Sequence, residues 1–260
     1  MPAREVDTSR PHPARMYDFY LGGKDYYDVD QEAAEKVLSL HPDGKNLALS
    51  NRYFMHRAAR MLAKRGISQF LDIGTGIPTE PNLHQVVQGV IPDARVVYVD
   101  NDPIVLRHAE ALLRSTPEGE TRYIHADVRE SQKIIEGAQE VLDFDQPVAL
   151  SMVALLHFIP DDDNPYDLIR ELLRPLCPGS YVMLSHVTGD FDPKSWKQII
   201  SVYRESGISA QVRSRDEFKR FFNGLEIVDP GVCVATQWRP DPKQDGPADI
   251  ALYVGVAQKP

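Results

Sequence analysis

The stretch from Gln69 to Glu80 contains residues whose types and spacing suit a ligand-binding turn. It places the carboxylate of Asp72 two positions before Gly74 and four before Gly76, in the pattern Asp-x-Gly-x-Gly. Glycines in such a turn allow backbone angles and a close ligand approach that a Cβ would prevent. An acidic side chain beside the turn repels a pyrophosphate and attracts positive charge. The pattern therefore favours a cationic or amino-bearing ligand.

The sequence of the same turn disfavours a dinucleotide as its ligand. A nicotinamide-binding fingerprint has a third glycine three residues after the second, which lets the helix pack closely on the strand beneath a pyrophosphate. That position is Thr79 here. A nicotinamide-dependent reductase is therefore the weakest of the functional hypotheses. Pro78 favours a helix that starts directly after the turn, because the missing N–H of proline costs little there.

Short apolar runs alternate with helical patterns along the chain after this turn. The predicted strands are 69–73, 95–100, 123–128, 147–153 and 181–185, followed by closing strands at 225–228, 232–237 and 251–257. Alternation of this kind predicts an α/β fold with a mostly parallel sheet, helices on both faces and right-handed crossovers. Ligands in such folds lie over the carboxyl ends of the strands, and the glycine turn comes directly after one of them.

Composition narrows the class of protein. The 260 residues suit one α/β domain with an extension, and 42% hydrophobic and 26% charged residues are typical of a globular chain. A balance of 29 basic against 38 acidic residues, net −9, disfavours nucleic acid and anionic membranes as partners. Two cysteines are too few for a disulfide framework, and we see no signal core or membrane-length apolar run. We expect a cytoplasmic protein.

We expect no bound metal. The acidic run Asp161–Asp163 lacks the ligand spacing of a calcium loop, and Cys177 and Cys233 are too few for a cysteine-rich metal site. A solvated loop and helix cap is the favoured interpretation of the acidic run.

The segment Leu71–Gly76 resembles motif I of the Rossmann-like, class I S-adenosylmethionine-dependent methyltransferases, and the later strand ends resemble the rest of that pattern. Together with Arg15–Asp25, Val99–Pro103 and Leu184–His186, it is similar to an S-adenosyl methyltransferase group first catalogued as a domain of unknown function. This resemblance covers nearly the whole chain. It implies a three-layer sandwich with a mostly parallel seven-stranded sheet, an antiparallel C-terminal strand and an N-terminal helical extension.

The resemblance also implies S-adenosyl-L-methionine as cofactor and assigns roles along the strand ends. The implied cofactor-binding residues are Asp72, Gly74, Thr75 and Gly76 at the turn, then Asp100, Asn101, Asp127, Val128, Ser151 and Met152. Asp100 corresponds to the acid that accepts the ribose hydroxyls, in charge-assisted hydrogen bonds. Asp127 and Val128 correspond to the pair that contacts the adenine edge, and Ser151 and Met152 to residues near the amino acid portion or the methyl sulfonium. For Asp102 we favour a helix cap over a place in the adenosine pocket.

Residues 1–66 form the predicted helical extension, which can close as a lid over the cofactor domain at 67–260. Its aromatic segment ends at a double glycine, and two interpretations stand about even: a helix that packs on the domain and stops at Gly22, or direct contact with a ligand. The extension's candidate cofactor contacts are Tyr17, Gly22, Gly23, Lys24 and Arg52. The cation of Lys24 or Arg52 could hold a carboxylate, although each alone is more often solvated.

Methyl transfer from a sulfonium is a direct displacement that needs alignment, water exclusion and, for some acceptors, a base. His157 and His186 follow the fourth and fifth strands and are the candidate catalytic residues, with a structural role favoured for each. The leading hypothesis is a methyltransferase that acts on a small molecule. The alternative is a catalytically inactive S-adenosylmethionine or S-adenosylhomocysteine-binding protein that recognises a partner.

Overall fold

The computed structural model describes residues 7–112, 114–241 and 250–260. The chain begins with three helices, α1 (Pro13–Leu21), α2 (Asp28–Leu40) and α3 (Gly44–Lys64). There follow β1 (Gln69–Ile73), α4 (Leu83–Gln88), β2 (Arg95–Asp100), α5 (Pro103–Leu112), β3 (Glu120–His125), α6 (Ser131–Gln139), β4 (Ala149–Met152), α7 (Pro165–Leu173), β5 (Tyr181–Val187), α8 (Pro193–Glu205), α9 (Arg215–Lys219), β6 (Glu226–Ile227), β7 (Cys233–Val234) and β8 (Leu252–Gln258). Among the described helices, none is both long and apolar enough to span a bilayer.

One sheet has the strand order β3-β2-β1-β4-β5-β8, and β6 and β7 both pair with the outer edge of β8. Strands β1 to β5 are parallel, whereas β8 runs antiparallel to β5. The predicted mixed α/β fold, mostly parallel with an antiparallel C-terminal strand, is confirmed. The sheet has eight strands rather than seven, because its last position is shared by two strands of two residues each.

Several element boundaries differ from those predicted, and β3 spans Glu120–His125 rather than 123–128. The helix after the glycine turn begins at Leu83 rather than near Pro78, because Asn82 and Gln85 form a capping box there, with Asn82 N–H donating to Gln85 Oε1 at 2.6 Å. The strand predicted at 232–237 shortens to Cys233–Val234 and passes into a 3₁₀ turn. The carbonyl that follows, on Ala235, accepts a hydrogen bond from Arg57 at 2.7 Å instead of pairing with a strand.

The helical extension shares its core with the sheet. Phe54, Ala58 and Leu62 on α3 are fully buried, and the Phe54 ring packs edge-on against Trp238 at 5.2 Å between centroids. Burying an apolar side chain as large as Leu62 contributes about 1.5–3 kcal/mol relative to leaving it exposed. Helix α3 therefore packs on the C-terminal part of the chain. The domain boundary between residues 66 and 67 stays a prediction.

Candidate active site

A cavity of about 450 Å³ lies over the carboxyl ends of the parallel strands. The strand ends contribute residues 72–76, 100–101, 126–129 and 153–155 to its wall, and helices α1, α2, α3 and α8 supply much of the remainder. This is the edge at which open α/β sheets bind their ligands. The strand ends predicted to hold a cofactor thus meet around one space.

The glycine turn is fixed to the end of β2. The N–H groups of Gly74 and Thr75 both donate to Val99 O, at 2.8 and 3.2 Å. Gly74 and Gly76 have positive φ angles of 75° and 70°, which favour glycine. A Cβ on Gly74 would lie 2.8 Å from Leu155 Cδ1, whereas one on Gly76 would meet no protein atom within 4 Å. Gly74 therefore serves packing, and Gly76 leaves its backbone open towards the cavity.

Asp100 is held in a fixed orientation at the end of β2. Its Oδ2 accepts the Gly76 N–H at 2.8 Å, and its Oδ1 accepts the Asp102 N–H at 2.9 Å. Burial raises the pKa of Asp100, and these two N–H groups oppose the rise. Each carboxylate oxygen keeps further acceptor capacity, which is what a pair of ribose hydroxyls requires. Asp102 Oδ1 accepts from Ile104 N–H at 2.9 Å, so this residue caps α5 as predicted.

Asp72 lies at the base of the cavity, opposite Ser151 in the register of β1 and β4. Burial raises the pKa of Asp72 to about 6, and the nearby Ser151 hydroxyl and Arg52 charge limit the rise. Ser151 and Met152 are fully buried and do not line the cavity. The three residues that follow them, 153–155, form this part of the wall instead.

Asp127, Asn101 and Val128 lie together on the cavity wall after β3. The Asp127 carboxylate accepts hydrogen bonds from Asn101 Nδ2 at 2.9 Å and from Arg129 N and Nη1, both at 3.0 Å. Partial burial acts to raise the pKa of Asp127, but these hydrogen bonds hold it below its usual value. Sequence reasoning missed Arg129, because a single arginine in a loop has no distinguishing pattern.

Two of the extension's candidate residues reach the cavity. Tyr17 OH donates to Ala48 O at 3.0 Å and accepts from Asn51 Nδ2 at 2.9 Å, which ties α1 to α3 at the wall. Arg52 donates to the carbonyls of Thr79 and of Pro81, the latter at 2.9 Å. Arg52 therefore spans from α3 to the loop that follows the glycine turn.

The three other candidates in the extension, Gly22, Gly23 and Lys24, do not line the cavity. Gly22 has φ 81° and ends α1, and a Cβ on Gly23 would lie 2.0 Å from the carboxylate of Asp18. Lys24 is exposed. For this glycine pair, the geometry favours the packing interpretation over ligand contact.

The two candidate histidines differ in position. His157 lines the cavity, and its Nδ1 has no hydrogen-bond partner among the described residues. Burial and the charge of Arg213 lower the pKa of His157 to about 3. His186 lies outside the cavity wall, with Nδ1 donating to Val187 O and Nε2 accepting from Arg213, both at 2.7 Å. Burial, with His157 and Arg213 adding to it, lowers the pKa of His186 well below its usual value.

Arg213 is a buried residue that sequence reasoning missed. Its guanidinium donates to the carbonyls of Leu156 and Ile159, at 3.1 and 2.9 Å, and to Asp161 Oδ1. It thereby fixes the loop after β4 that presents His157. Asp161 is thus engaged by Arg213, and in the described ranges His, Cys, Asp and Glu side chains form no group able to hold a metal ion.

The chain is similar to proteins of one family. A family model described as S-adenosyl methyltransferase matches residues 1–260. The crystal structure of a DUF574 family protein from Streptomyces avermitilis is 43% identical, with a TM-score of 0.96, and covers 98% of this chain and 100% of its own. That of a candidate methyltransferase from Thermobifida fusca is 36% identical, with a TM-score of 0.89 and coverage of 99% and 98%.

A more distant likeness concerns the fold alone. Human N-acetylserotonin methyltransferase in complex with S-adenosylmethionine has a TM-score of 0.51 at 13% identity, covering 96% of this chain and 63% of its own. A search of functionally curated proteins found no match. The oriented Asp100, the glycine turn and the full-length family match together show that the chain belongs to the S-adenosyl methyltransferase family and uses S-adenosylmethionine as its methyl donor.

Proposed function

We propose that this protein methylates a small molecule. The observation that carries the proposal is the cavity, whose wall is completed by helices from both ends of the chain, α1 to α3 and α8. Its volume of about 450 Å³ falls in the range of roughly 300–1,000 Å³ that is typical of small-molecule sites. The cofactor takes part of that space, and the remainder suits a compact acceptor rather than a folded macromolecule.

The residues supply binding and alignment. When bound, the cofactor provides an electrophilic methyl group on a sulfonium. Asp100 is placed to accept the ribose hydroxyls, Asp127 and Val128 to contact the adenine edge, and Asp72 to attract the positive charge of the amino acid portion. Ala154, held at φ 60° with its N–H donating to Ser185 Oγ at 2.8 Å, fixes the wall beside Leu155. Fixing both reactants in this way lowers the entropic cost of a direct displacement.

The test is methyl transfer from labelled S-adenosylmethionine to three fractions of a cell extract: metabolites below about 1 kDa, protein and RNA, a size limit set by small-molecule sites. We expect label in the metabolite fraction, and we expect Asp100→Ala to reduce it when S-adenosylmethionine is limiting. Label in the protein or RNA fraction instead would contradict the proposal. Tight S-adenosylhomocysteine binding with no turnover on any fraction would favour a cofactor-binding protein that recognises a partner.

A further inference from the structure

The cavity wall divides into two halves of different chemistry. One half, here named the cofactor half, is built around the strand ends and Arg52 of α3. It holds the Asp and Arg residues of the wall, which are Arg52, Asp72, Asp100, Asp127 and Arg129. The other half, here named the acceptor chamber, is built from α1, α2, α8 and the loops that follow β4 and α8. Its residues are Tyr20, Val37, His41, Phe158, Trp196, Ile199, Ile200, Tyr203 and Ile208.

The acceptor chamber is apolar and aromatic and has no formal charge near neutral pH. Among the described residues, no Asp, Glu, Lys or Arg belongs to it. Its rings are in mutual contact: His41 and Trp196 have centroids 5.4 Å apart, and Phe158 and Tyr203 5.7 Å apart. Burial lowers the pKa of His41, which keeps its imidazole neutral. A charged acceptor would lose its hydration here without gaining an ionic partner, which is costly.

Polar atoms without partners point to what the chamber does bind. Trp196 Nε1 and the neighbouring His157 Nδ1 are buried and make no hydrogen bond within the described part of the chain, and the buried Tyr20 OH has only the Tyr203 hydroxyl beside it. The three side chains are only 5%, 9% and 9% exposed. Burial, then the charge of Tyr203 and a hydrogen bond to its hydroxyl, raise the pKa of Tyr20, and the Tyr20 oxygen keeps lone pairs for a second partner. Buried polar groups normally have partners, so these atoms are suited to a hydroxyl on a bound ring.

We infer that the methyl acceptor is an uncharged, ring-bearing molecule with a hydroxyl group, seated in the acceptor chamber with Tyr20 and His157 as its polar contacts. The inference rests on the proposed function and adds the acceptor's class to it. In the transfer, the acceptor oxygen bonds to the methyl carbon while the carbon–sulfur bond breaks. The electron pair stays on sulfur, and the hydroxyl proton passes to water.

Three probes with one ring system and different charge test this inference: 2-naphthol, 2-naphthoate and 2-(aminomethyl)naphthalene. Their binding to the full chain saturated with S-adenosylhomocysteine is measured by calorimetry. Because burying an unpaired charge is costly, we expect 2-naphthol to bind at least about tenfold more tightly than either charged probe. Equal or tighter binding of a charged probe overturns the inference, as does undetectable binding of 2-naphthol at millimolar concentration.

Two variants locate the binding. Tyr20→Phe should weaken 2-naphthol about threefold to tenfold, the range for one hydrogen bond, and leave unsubstituted naphthalene unchanged. Tyr53→Phe, which removes a hydroxyl outside the cavity wall, is the matched control. Ile200→Glu should reverse the preference in favour of the ammonium probe, whereas Phe191→Glu, at an exposed position, should not. Equal losses for naphthol and naphthalene in Tyr20→Phe, or an unchanged preference in Ile200→Glu, overturn the inference.

The same titrations separate this inference from the proposed function. S-adenosylhomocysteine binding is measured first, on the wild-type chain and on each variant. If the wild-type chain does not bind S-adenosylhomocysteine, the assignment of the cofactor half is refuted. A chain that binds it and prefers a charged naphthalene refutes only the acceptor class.

Discussion

Asp100 accepts hydrogen bonds from the backbone that follows two different strands. Gly76 N–H, after β1, and Asp102 N–H, after β2, each occupy one of its oxygens. An acid at a strand end and a glycine turn 24 residues earlier therefore form one unit, in which the turn orients the carboxylate that we propose binds the ribose hydroxyls. The order of these residues was visible in the sequence, whereas the hydrogen bond that joins them was not.

Replacing Asp100 with alanine should weaken S-adenosylhomocysteine binding by roughly 1.5–3 kcal/mol, the range for hydrogen bonds to a charged group. Calorimetry on the folded variant gives the dissociation constant. Asp93→Ala, which removes an exposed carboxylate at the opposite end of β2, is the control and should bind like the wild type. An unchanged dissociation constant for Asp100→Ala would refute the ribose role.

Asp72 should make cofactor binding depend on pH. Burial raises the pKa of its carboxyl to about 6, so the side chain is increasingly protonated below that pH and loses its attraction for the ligand's ammonium group. Affinity should therefore rise as pH increases through 6 and fall by up to about tenfold per pH unit below it. Asp72→Asn should bind more weakly at pH 7 with a flatter profile. The same steep profile in Asp72→Asn would place the titration on another group, such as Asp100.

At the scale of elements, the helical extension is positioned by buried ionic contacts. Arg15 on α1 is 3% exposed, and its Nε lies 3.3 Å from Oδ1 of the fully buried Asp30 on α2. Just before α1, His12 Nδ1 lies 3.2 Å from Oδ2 of Asp102, whose N–H donates to Asp100. The segment that contains His12 and Arg15 thus contacts both the rest of the extension and Asp102, beside the strand-end half of the cavity.

Arg15→Ala should lower the free energy of unfolding by about 3 kcal/mol, because it leaves the buried Asp30 carboxylate without a cation and with only the backbone N–H groups of His12 and Tyr27 as donors. Urea denaturation measures the loss. Arg10→Ala, at an exposed position in the same segment, should change stability by less than about 0.5 kcal/mol. If the two variants lose the same stability, the Arg15–Asp30 pair does not position the extension.

The sequence predicted some elements better than others, for physical reasons. Strands β1, β2 and β5 are nearly continuous apolar runs, so their periodicity identified them within a residue or two. The helix expected at Pro78 was displaced to Leu83 because the Asn82 capping box is a stronger signal than a proline. The short strand β7 ended early because the side chain of Arg57, 178 residues away, takes the Ala235 carbonyl.

The residues of the candidate site also differ in how well the sequence predicted their positions. Asp72, Gly74, Gly76, Asp100 and Asp127 occupy strand ends, where the fold determines their position, and the structure brings them together. Arg213 and the acceptor chamber depend on packing between segments distant in sequence, and no local pattern records such contacts. His186 follows the strand predicted at 181–185, which suggested the active-site edge. In the structure β5 extends to Val187 and includes His186, and Val187 and Arg213 engage both its nitrogens.

At the scale of the whole molecule, ligand binding should raise the free energy of unfolding. A ligand that binds only the folded state at 100 times its dissociation constant adds about 2.7 kcal/mol, or a rise in melting temperature of several degrees for a chain of this size. S-adenosylhomocysteine should produce this shift and NAD at the same concentration should not. A shift with NAD alone would contradict the assignment of the glycine turn to S-adenosylmethionine.

The division of the cavity wall has a consequence for how this enzyme can change. Most acceptor-chamber residues lie at 20–41 and 196–208, whereas the strand-end residues that we propose contact the cofactor lie at 72–76, 100–101 and 126–129. Substitutions at Val37, Ile199 or Ile200 can therefore reshape one half without disturbing the other. The preference for a methyl acceptor can then change, in evolution or by design, while the affinity for S-adenosylmethionine stays constant. Libraries of variants confined to α2 and α8 are therefore the most direct way to search for new acceptors.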